Sequence, residues 1–281
     1  MEREIEQALG SAVAAVAGVS GGDVAQAFRV TLEDERTVFA KTKAGADPEF
    51  FVTEACGLET LRGARQLPVP EVLHVSHDQP LLVLSWIAES RRRPSSDHRF
   101  GAALARLHRS GAESFGRADQ RPTGSRGVPN QPTKTWSDFY ATNRLLPLAR
   151  LAYDEGALET TTIAMIESIA GRLDKFGGAD EPPSLLHGDL WAGNRIVDQH
   201  GESWLIDPAQ HGGHREFDLA MTQLFGGWQP DMIDGYQAEW PLADGWQGRI
   251  ALHQLAPLAV HAIKFGGGYV NATAEAARQY T

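Results

Sequence analysis

The chain has 281 residues, of which 42% are hydrophobic and 22% charged, so its composition excludes a disordered protein. A formal net charge of −10 disfavours general nucleic-acid binding, because such binding needs a basic face that displaces counterions. The single cysteine, Cys56, excludes an internal disulfide and predicts a reducing, cytoplasmic location. The acidic N-terminus lacks a signal-peptide core and no apolar run approaches ~20 residues, so we expect no membrane span.

The first part of the chain is predicted to be mostly antiparallel sheet with one inserted helix. Apolar residues at helical spacing predict a leading helix over residues 4–17. Strands over Ala27–Leu32 and Thr37–Thr42 are separated by an acidic turn, and a helix begins at Pro48. The segment VPEVLHVSHDQPLLVLSWI then predicts a hairpin with its turn at His77–Pro80.

From about Arg91 the pattern becomes helical. Helices are predicted over residues 97–111, 136–152 and 158–176, with a long loop over 111–135 and a mostly helical tail from Phe217. A strand pair, Arg195–Val197 and Ser203–Ile206, is expected to be the only sheet-like patch of this part. The sequence therefore predicts an α+β protein with a sheet-rich lobe over residues 1–88 and a helix-rich lobe over 89–281.

The segment LLHGDLWAGN contains the strongest chemical motif. His187, Asp189 and Asn194 have the spacing H-x-D-x-x-x-x-N of a kinase catalytic loop. In such a loop the carboxylate orients the proton of an attacking hydroxyl, and the amide oxygen binds Mg²⁺ on the phosphates. The fixed Asn disfavours the alternative of a surface turn at Asp189. His187 is predicted to hold the loop by hydrogen bonding, because Asp189 already supplies the base.

Asp207 is predicted to be the second magnesium ligand. It ends the short apolar run Trp204–Ile206, thirteen residues after Asn194, which is a length that allows a hairpin return. The alternative is an Asp that caps a turn before Pro208, since Asp-Pro is a common turn former.

The sheet-rich lobe contains a matching pair of charges. Glu54 falls within the apolar stripe of the inserted helix, and a buried carboxylate needs a partner. Lys41 on a predicted strand is the preferred partner, with Lys43 as its rival at the same strand parity. A Lys paired in this way can contact the α- and β-phosphates of ATP. Two ordinary surface residues are the alternative.

Gly21 and Gly22 lie between the leading helix and the first predicted strand. Such a pair can present backbone N–H groups to phosphate, or it can form a plain turn.

Taken together, these segments resemble the fructosamine-3-kinases, also called ketosamine kinases, within the protein-kinase-like group that includes aminoglycoside and choline kinases. The similarity extends over residues 20–270 and includes LLHGDLWAGN, IDPAQHGGHREFDLA, TWSDFYATNRL, VFAKT and FFVTEACGLETL. It implies a bilobal kinase-like fold and ATP-dependent phosphorylation of the sugar 3-hydroxyl of a ketoamine. The phosphorylated product is unstable, which implies deglycation.

The resemblance also implies a role for each matching residue. Asp189 is the base, Asn194 and Asp207 hold Mg²⁺, and Lys41 with Glu54 binds ATP. The connector of Ser85, Trp86 and Ile87 offers backbone groups to adenine. Trp191 lies against the sugar-amine, with a core aromatic as the alternative role.

Other positions are predicted to be structural. Asp218 begins a helix and braces the catalytic loop, and His108 is packed or capping. His211 and His214 lack a third soft ligand, which disfavours zinc. Arg91–Arg93 is expected to be a solvated run.

Two departures from the family pattern concern Gly212 and the glycine loop. Gly212 stands where several relatives have an aromatic, and the loop lacks a Cys that some relatives use for redox-linked dimers, so we expect a monomer.

Two alternatives stay open: a kinase of the aminoglycoside or choline type, and a catalytically silent nucleotide-binding protein. The aromatic tail disfavours the first, because a polycationic acceptor needs several acids. The joint presence of Asp189, Asn194, Asp207 and Lys41 disfavours the second.

Overall fold

The computed structural model describes residues 1–19, 25–90, 96–124, 126–178, 180–226, 228 and 230–281. The chain forms two compact units by its internal contacts. One comprises Met1–Ser96 with Asn194–Pro208, and the other comprises Asp97–Gly193 with Ala209–Thr281. No helix in the described ranges combines the length and the apolar composition that a membrane crossing requires.

The described residues up to 90 contain two α-helices and five strands. In chain order these are α1 (Glu2–Leu9), β1 (Val13–Val19), β2 (Gln26–Leu32), β3 (Thr37–Thr42), α2 (Val52–Ala64), β4 (Val72–Val75) and β5 (Leu81–Ser85). The strands form one antiparallel sheet in the order β1-β2-β3-β5-β4, so β3 is its central strand. The expected antiparallel sheet with one inserted helix is therefore confirmed.

The rest of the chain is mostly helical. In chain order its elements are α3 (Ser96–Arg109), α4 (Trp136–Tyr140), α5 (Leu146–Asp154), α6 (Thr160–Ala170), β6 (Ser184–Leu186), β7 (Arg195–Val197), β8 (Ser203–Leu205), β9 (His211–Gly213), α7 (Arg215–Leu224), α8 (Asp231–Glu239), α9 (Ile250–Phe265) and α10 (Gly268–Arg278). A π-helical turn over Ala141–Leu145 joins α4 to α5. The predicted helices and the strand pair are confirmed.

The core of the sheet unit follows from strand alternation. Side chains at every second position point to one face, and on three neighbouring strands that face is apolar. Together with Ile5 of α1, its buried members are Val30, Leu32, Val38, Ala40, Leu81 and Val83. Lys41 has the opposite parity on β3, with Ala27 and Leu82 as its partners in register, and so belongs to the other face.

The helical unit has a core of its own. Trp136 packs against Tyr140 and Phe139 of the same helix and against Phe217 of α7. The Tyr140 hydroxyl donates to the carbonyl of Leu252 in α9 at 2.8 Å, which joins these helices through a fully buried group.

Two sequence predictions about the fold were wrong. The leading helix ends at Leu9, where Gly10 adopts the left-handed conformation (φ 69°) and caps it, and Val13–Val19 pairs with β2 as an edge strand. Val13 and Val16 fit the spacing of a helix, and nothing in that local pattern indicates that the segment pairs with β2. The second error concerns β6, which pairs antiparallel with β9, so Arg195–Ile206 is not the only sheet-like patch after residue 89.

Candidate active site

Lys41 is held in the middle of the sheet unit by an ion pair. It lies on the central strand β3 with a buried side chain, and its Nζ is 2.8 Å from Oε1 of Glu54 on α2. The expected pairing of these two residues is present. The rival Lys43 has a different environment, because its Nζ lies 4.3 Å from the centre of the Phe50 ring.

Asp207 also contacts the Lys41 ammonium through its carboxylate. Its backbone has φ of 54°, a conformation that non-glycine residues seldom adopt and that Asp and Asn tolerate best. Residues held in such conformations cluster at functional sites. The carboxylate bonds to a lysine 166 positions away in the chain, which distinguishes it from a side chain that merely caps a local turn.

The charges of this trio, which we call the charged cluster (Lys41, Glu54 and Asp207), do not balance. Burial alone would lower the pKa of Lys41, but the carboxylates of Glu54 and Asp207 outweigh burial and raise it. Burial also raises the pKa of Glu54, and the attraction of Lys41 offsets this only in part. One ammonium between two carboxylates leaves an excess negative charge, which favours binding of a further cation.

The hairpin of β7 and β8 brings Asn194 next to Asp207. Arg195 is paired with Leu205 in the ladder, and the N–H of Ile206 donates to the Asn194 carbonyl at 3.1 Å. The backbone pairing therefore extends one step beyond the ladder to the open end of the hairpin, where Asn194 precedes β7 and Asp207 follows β8. At the closed end, the Asp198 carboxylate accepts the N–H groups of His200 and Glu202 at 2.9 and 3.0 Å. The predicted hairpin return is confirmed.

Asp189 follows strand β6 in a loop that is braced from below. The carboxylate of Asp218, in the first turn of α7, accepts the backbone N–H of His187 at 2.7 Å and of Gly188 at 2.9 Å. His108 donates from Nε2 to the same carboxylate at 3.2 Å, and its Nδ1 accepts the hydroxyl of Tyr236 at 2.8 Å. The predicted brace by Asp218 is confirmed.

The loop brace (His108, His187 and Asp218) is fully buried. Burial opposes the charge of Asp218, but hydrogen bonding and attraction from His108 keep the pKa of its carboxyl below the ordinary value. The Nδ1 of His187 accepts the N–H of Asp189 at 3.3 Å, which is the loop-holding role expected of it. The backbone N–H groups of His187, Gly188 and Asp189 are therefore all hydrogen-bonded, which fixes the loop that presents Asp189.

Gly188 is required at its position. Its φ is 82°, and a Cβ there would lie 2.1 Å from the carbonyl oxygen of Ala209. No side chain fits so close to a backbone oxygen, so the turn before Asp189 depends on glycine.

Trp191 has an exposed fraction of 40%, so it is not a core aromatic. A Cβ on Gly193 would lie 2.1 Å from the Trp191 ring, which shows that the indole covers this glycine closely. Phe225 contacts the ring perpendicularly, with 6.2 Å between centroids. The ring is therefore fixed in orientation and still partly open to a ligand.

The remaining predicted positions are the glycine pair, the arginine run and the connector after β5. Gly21 and Gly22, like Arg91–Arg93, lie outside the described residues. Ser85 ends β5, and its N–H donates to the carbonyl of Glu71 at 2.9 Å. Trp86 follows with its ring 5.3 Å from the Arg29 guanidinium, and Ile87 is half-buried.

Gly212, which is expected to depart from the family pattern, packs closely against neighbouring backbone. Its N–H and carbonyl pair with those of Gly116 at 2.8 Å, and a Cβ would lie 2.0 Å from the Ser114 carbonyl oxygen. This position contributes to packing.

One buried trio has distances that a metal ion could bridge. The ligand atoms of His214, Glu216 and His253 lie within 4.8 Å of one another. Arg249, however, donates to both carboxylate oxygens of Glu216 at 2.8 and 2.7 Å, and His214 bonds through Nε2 to the Gly178 carbonyl. The trio is therefore an ion-pair network that connects α7 to α9.

Two features escaped sequence reasoning. The closeness of Gly193 to Trp191 depends on a contact that no local pattern shows. Rings of α9 and α10 also connect to Trp191 through Phe225, and FGGGY was the signal that the sequence offered in those helices.

A central-strand Lys paired with a helix Glu, and a braced loop Asp followed by Asn and Asp on a hairpin, define the protein-kinase-like class. The fold agrees with this. The chain superposes on an aminoglycoside phosphotransferase, solved as a ternary complex with ADP and hygromycin B, with a TM-score of 0.64 and 17% identity over 100% of this chain and 99% of that one. This likeness confirms the predicted α+β kinase-like fold.

Within that class, the family model described as fructosamine kinase matches residues 1–281, and the chain belongs to this family. It is 34% identical to a probable ketoamine kinase of Enterococcus faecium over 89% of this chain and 90% of that protein. A solved candidate fructosamine-3-kinase from Thermobifida fusca is 40% identical, with a TM-score of 0.90 over 99% of this chain and 97% of that one. The resemblance expected from the motifs is confirmed.

Proposed function

We propose that this protein transfers the γ-phosphoryl group of ATP to the 3-hydroxyl of a ketoamine. The observation that supports it best is the Lys41 ammonium held by both Glu54 and Asp207. A lysine fixed by a helix carboxylate is the arrangement that kinases use to bind the α- and β-phosphates. Membership of the fructosamine kinase family supports a ketoamine as the acceptor.

Asp207 and Asn194 have the chemistry to hold Mg²⁺. Asn194 directly precedes β7, and Asp207 follows β8 by two residues, so both residues stand at the open end of the hairpin. Mg²⁺ prefers carboxylate and amide oxygens as ligands. The excess negative charge of the charged cluster also fits a divalent cation. Bound Mg²⁺ would neutralise charge on the nucleotide phosphates. With Mg²⁺ bound, Asp207 would hold the cation in place of Lys41, and the ammonium would be available to the phosphates.

Asp189 acts as the base. Its carboxylate orients the sugar hydroxyl and accepts the proton as the oxygen bonds to the γ-phosphorus and the bond to ADP breaks. The loop brace fixes the backbone on which this carboxylate stands, so that the hydroxyl is positioned before reaction. Trp191 provides a partly open aromatic face for the sugar-amine.

The nucleotide contacts complete the proposal. Backbone groups of the connector Ser85, Trp86 and Ile87 bind adenine, and Gly21 and Gly22 offer N–H groups to phosphate. A phosphate on C3 lies next to the ketone carbon and leaves readily once the ketoamine enolises toward C1. Departure of phosphate would leave an imine between C1 and the nitrogen, and water would hydrolyse this imine to a C1 aldehyde and the free amine. We place this activity in a monomer in the reducing cytoplasm, in accord with the single thiol.

The test is a panel of acceptors with ATP and Mg²⁺, measured by ADP release. We expect turnover of synthetic fructosamines or ribulosamines, and little with an aminoglycoside or choline. Asp189→Ala should lower kcat by about 10²- to 10⁴-fold on every ketoamine. Equal turnover of the aminoglycoside would favour the alternative acceptor class, and nucleotide binding without turnover would favour a silent protein. An unaffected Asp189→Ala variant would overturn the assigned base.

A further inference from the structure

Trp191 belongs to a larger connected group of aromatic rings in the helical unit, and the other rings of this group have no role in the phosphoryl transfer just proposed. We call it the aromatic cluster, and its members are Trp191, Phe225, His261, Phe265 and Tyr269. Phe225 contacts Trp191 at 6.2 Å between ring centroids, His261 at 4.8 Å and Tyr269 at 6.4 Å. Phe265 lies 5.6 Å from His261 and 6.1 Å from Tyr269. The rings therefore form one continuous set of contacts.

The helices and their glycine turn explain this arrangement. His261 and Phe265 are four residues apart in the last turns of α9, which puts them on one face of the helix. Gly266 and Gly267 have φ of 63° and 58°, and they reverse the chain so that Tyr269 in α10 returns to the same rings. A Cβ on either glycine would meet nothing within 4 Å, so this turn borders open space.

The aromatic cluster is unusually exposed. Over the described ranges, four large hydrophobic side chains are exposed, and two of them, Phe265 at 49% and Trp191 at 40%, belong to the cluster. These two rings are connected through Phe225, His261 and Tyr269, which are half-buried. Scattered exposed apolar groups are normal, but a continuous patch marks an interaction site, because covering it gains free energy.

The position of the cluster indicates what covers it. Trp191 follows Asp189 by two residues, so their Cα atoms are at most ~7 Å apart. An acceptor whose hydroxyl reaches Asp189 must therefore extend near the Trp191 ring. In a ketoamine the amine substituent lies on C1, two carbons from the reacting C3 hydroxyl, and projects beyond the sugar.

We propose that the aromatic cluster binds the amine substituent of the ketoamine and selects substituents with an aryl or branched alkyl group over short polar ones. This inference rests on the proposed function and specifies its substrate class. The Lys264 ammonium lies 4.7 Å from the centre of the Phe265 ring, so this end of the cluster already holds a cation. A substituent that ends in an ammonium is therefore disfavoured by repulsion.

The test uses fructosamines that share one sugar and differ only in a benzyl, isobutyl, 2-hydroxyethyl or 4-aminobutyl substituent. We expect kcat/KM to be about 10-fold higher for benzyl than for 2-hydroxyethyl, mainly through KM. Phe265→Ala should reduce this preference about 5-fold, and Phe265→Leu, which keeps apolar bulk, should reduce it less. Tyr153→Ala is the matched control, because Tyr153 is 57% exposed on α5 and lies outside the cluster.

The outcomes separate this inference from the function on which it rests. Turnover that is equal for benzyl and 2-hydroxyethyl substituents would overturn the inference and leave the kinase activity standing. The same holds if Phe265→Ala, with an unchanged thermal midpoint, keeps the full preference. Absence of turnover with every fructosamine would overturn both.

Discussion

The charged cluster and the loop brace each centre on a carboxylate, yet they are built in opposite ways. In the charged cluster the side chain of Asp207 is 36% exposed, and it shares one ammonium with Glu54. In the loop brace Asp218 is fully buried and accepts hydrogen bonds from two backbone N–H groups and from His108.

This difference separates two kinds of contribution to activity. The Asp207 carboxylate is reachable from solvent, so in the proposed function a bond to a cation would replace its bond to Lys41. The hydrogen bonds of Asp218 have no such replacement, because its carboxylate is buried and its donors are two backbone N–H groups and the packed His108. Substitutions in the first group should therefore affect chemistry, and substitutions in the second should affect folding as well.

The largest expected effect comes from Asp207→Asn. The amide keeps the size of the side chain and tolerates φ of 54°, but it loses the charge that would hold Mg²⁺. We expect kcat/KM to fall about 10³-fold while the free energy of unfolding changes by less than about 1 kcal/mol. Steady-state ADP release and urea unfolding measure the two quantities. A variant that unfolds much more easily would show that Asp207 is mainly structural.

Asp218→Asn should act on stability first. The amide offers one acceptor and one donor group, so the N–H of His187 or Gly188 loses its partner in a buried site. We expect the free energy of unfolding to fall by about 3 kcal/mol, with lower kcat as the loop loosens. Urea unfolding provides the measurement, and Asp231→Asn, at an exposed position in the first turn of α8, is the control. Equal stability of the two variants would contradict the contrast between buried and exchangeable carboxylates.

A smaller effect should appear on mild acidification. Burial, together with the charge of His253, lowers the pKa of His214 to about 4, and His214 caps α7, the helix of the loop brace. The unfolded chain takes up a proton on this histidine below pH ~6.5, whereas the folded protein resists it until about pH 4. Its stabilising contribution is therefore complete above pH ~6.5 and is lost as the pH falls toward 4, by about 2 kcal/mol at pH 5.

His214→Asn provides the comparison for this prediction. Asn can still accept the N–H of Glu216 at the cap, but it does not titrate. The difference between the urea midpoints at pH 7.5 and pH 5 should be smaller for the variant than for the parent protein. Protonation of Glu216 reduces stability only at a lower pH, because the pKa of its carboxyl is lowered to about 2. An identical pH slope in both proteins would refute the assignment.

Sequence reasoning could predict the residues of the candidate site because the proposed chemistry depends on residue types at short, fixed spacing. His187, Asp189 and Asn194 are within eight residues of one another, and the brace by Asp218 follows from its place at a helix start. The pairing of Lys41 with Glu54 was predictable for another reason. A carboxylate in an apolar stripe needs a partner, and few cations were available on the adjoining strand.

Errors arose where a tertiary partner overrode a local pattern. Val13 and Val16 fit a helix by spacing, but the edge of β2 offered hydrogen bonds that a strand could complete over Val13–Val19. The pairing of β6 with β9 was missed because these segments have only three residues each and lie far apart in the chain.

The sequence by itself determined the kinase-like class, the central sheet and the identity of the groups proposed to act on ATP. These depend on alternation along a strand and on motif spacing, which are properties of neighbouring residues. Only the tertiary structure decided that Asn194–Pro208 packs with the sheet unit and that Asp207 shares Lys41 with Glu54. It also decided that Phe225, directly after α7, connects Trp191 to rings of α9 and α10. Such contacts join residues far apart in the chain, and their free energy depends on burial that no local pattern contains.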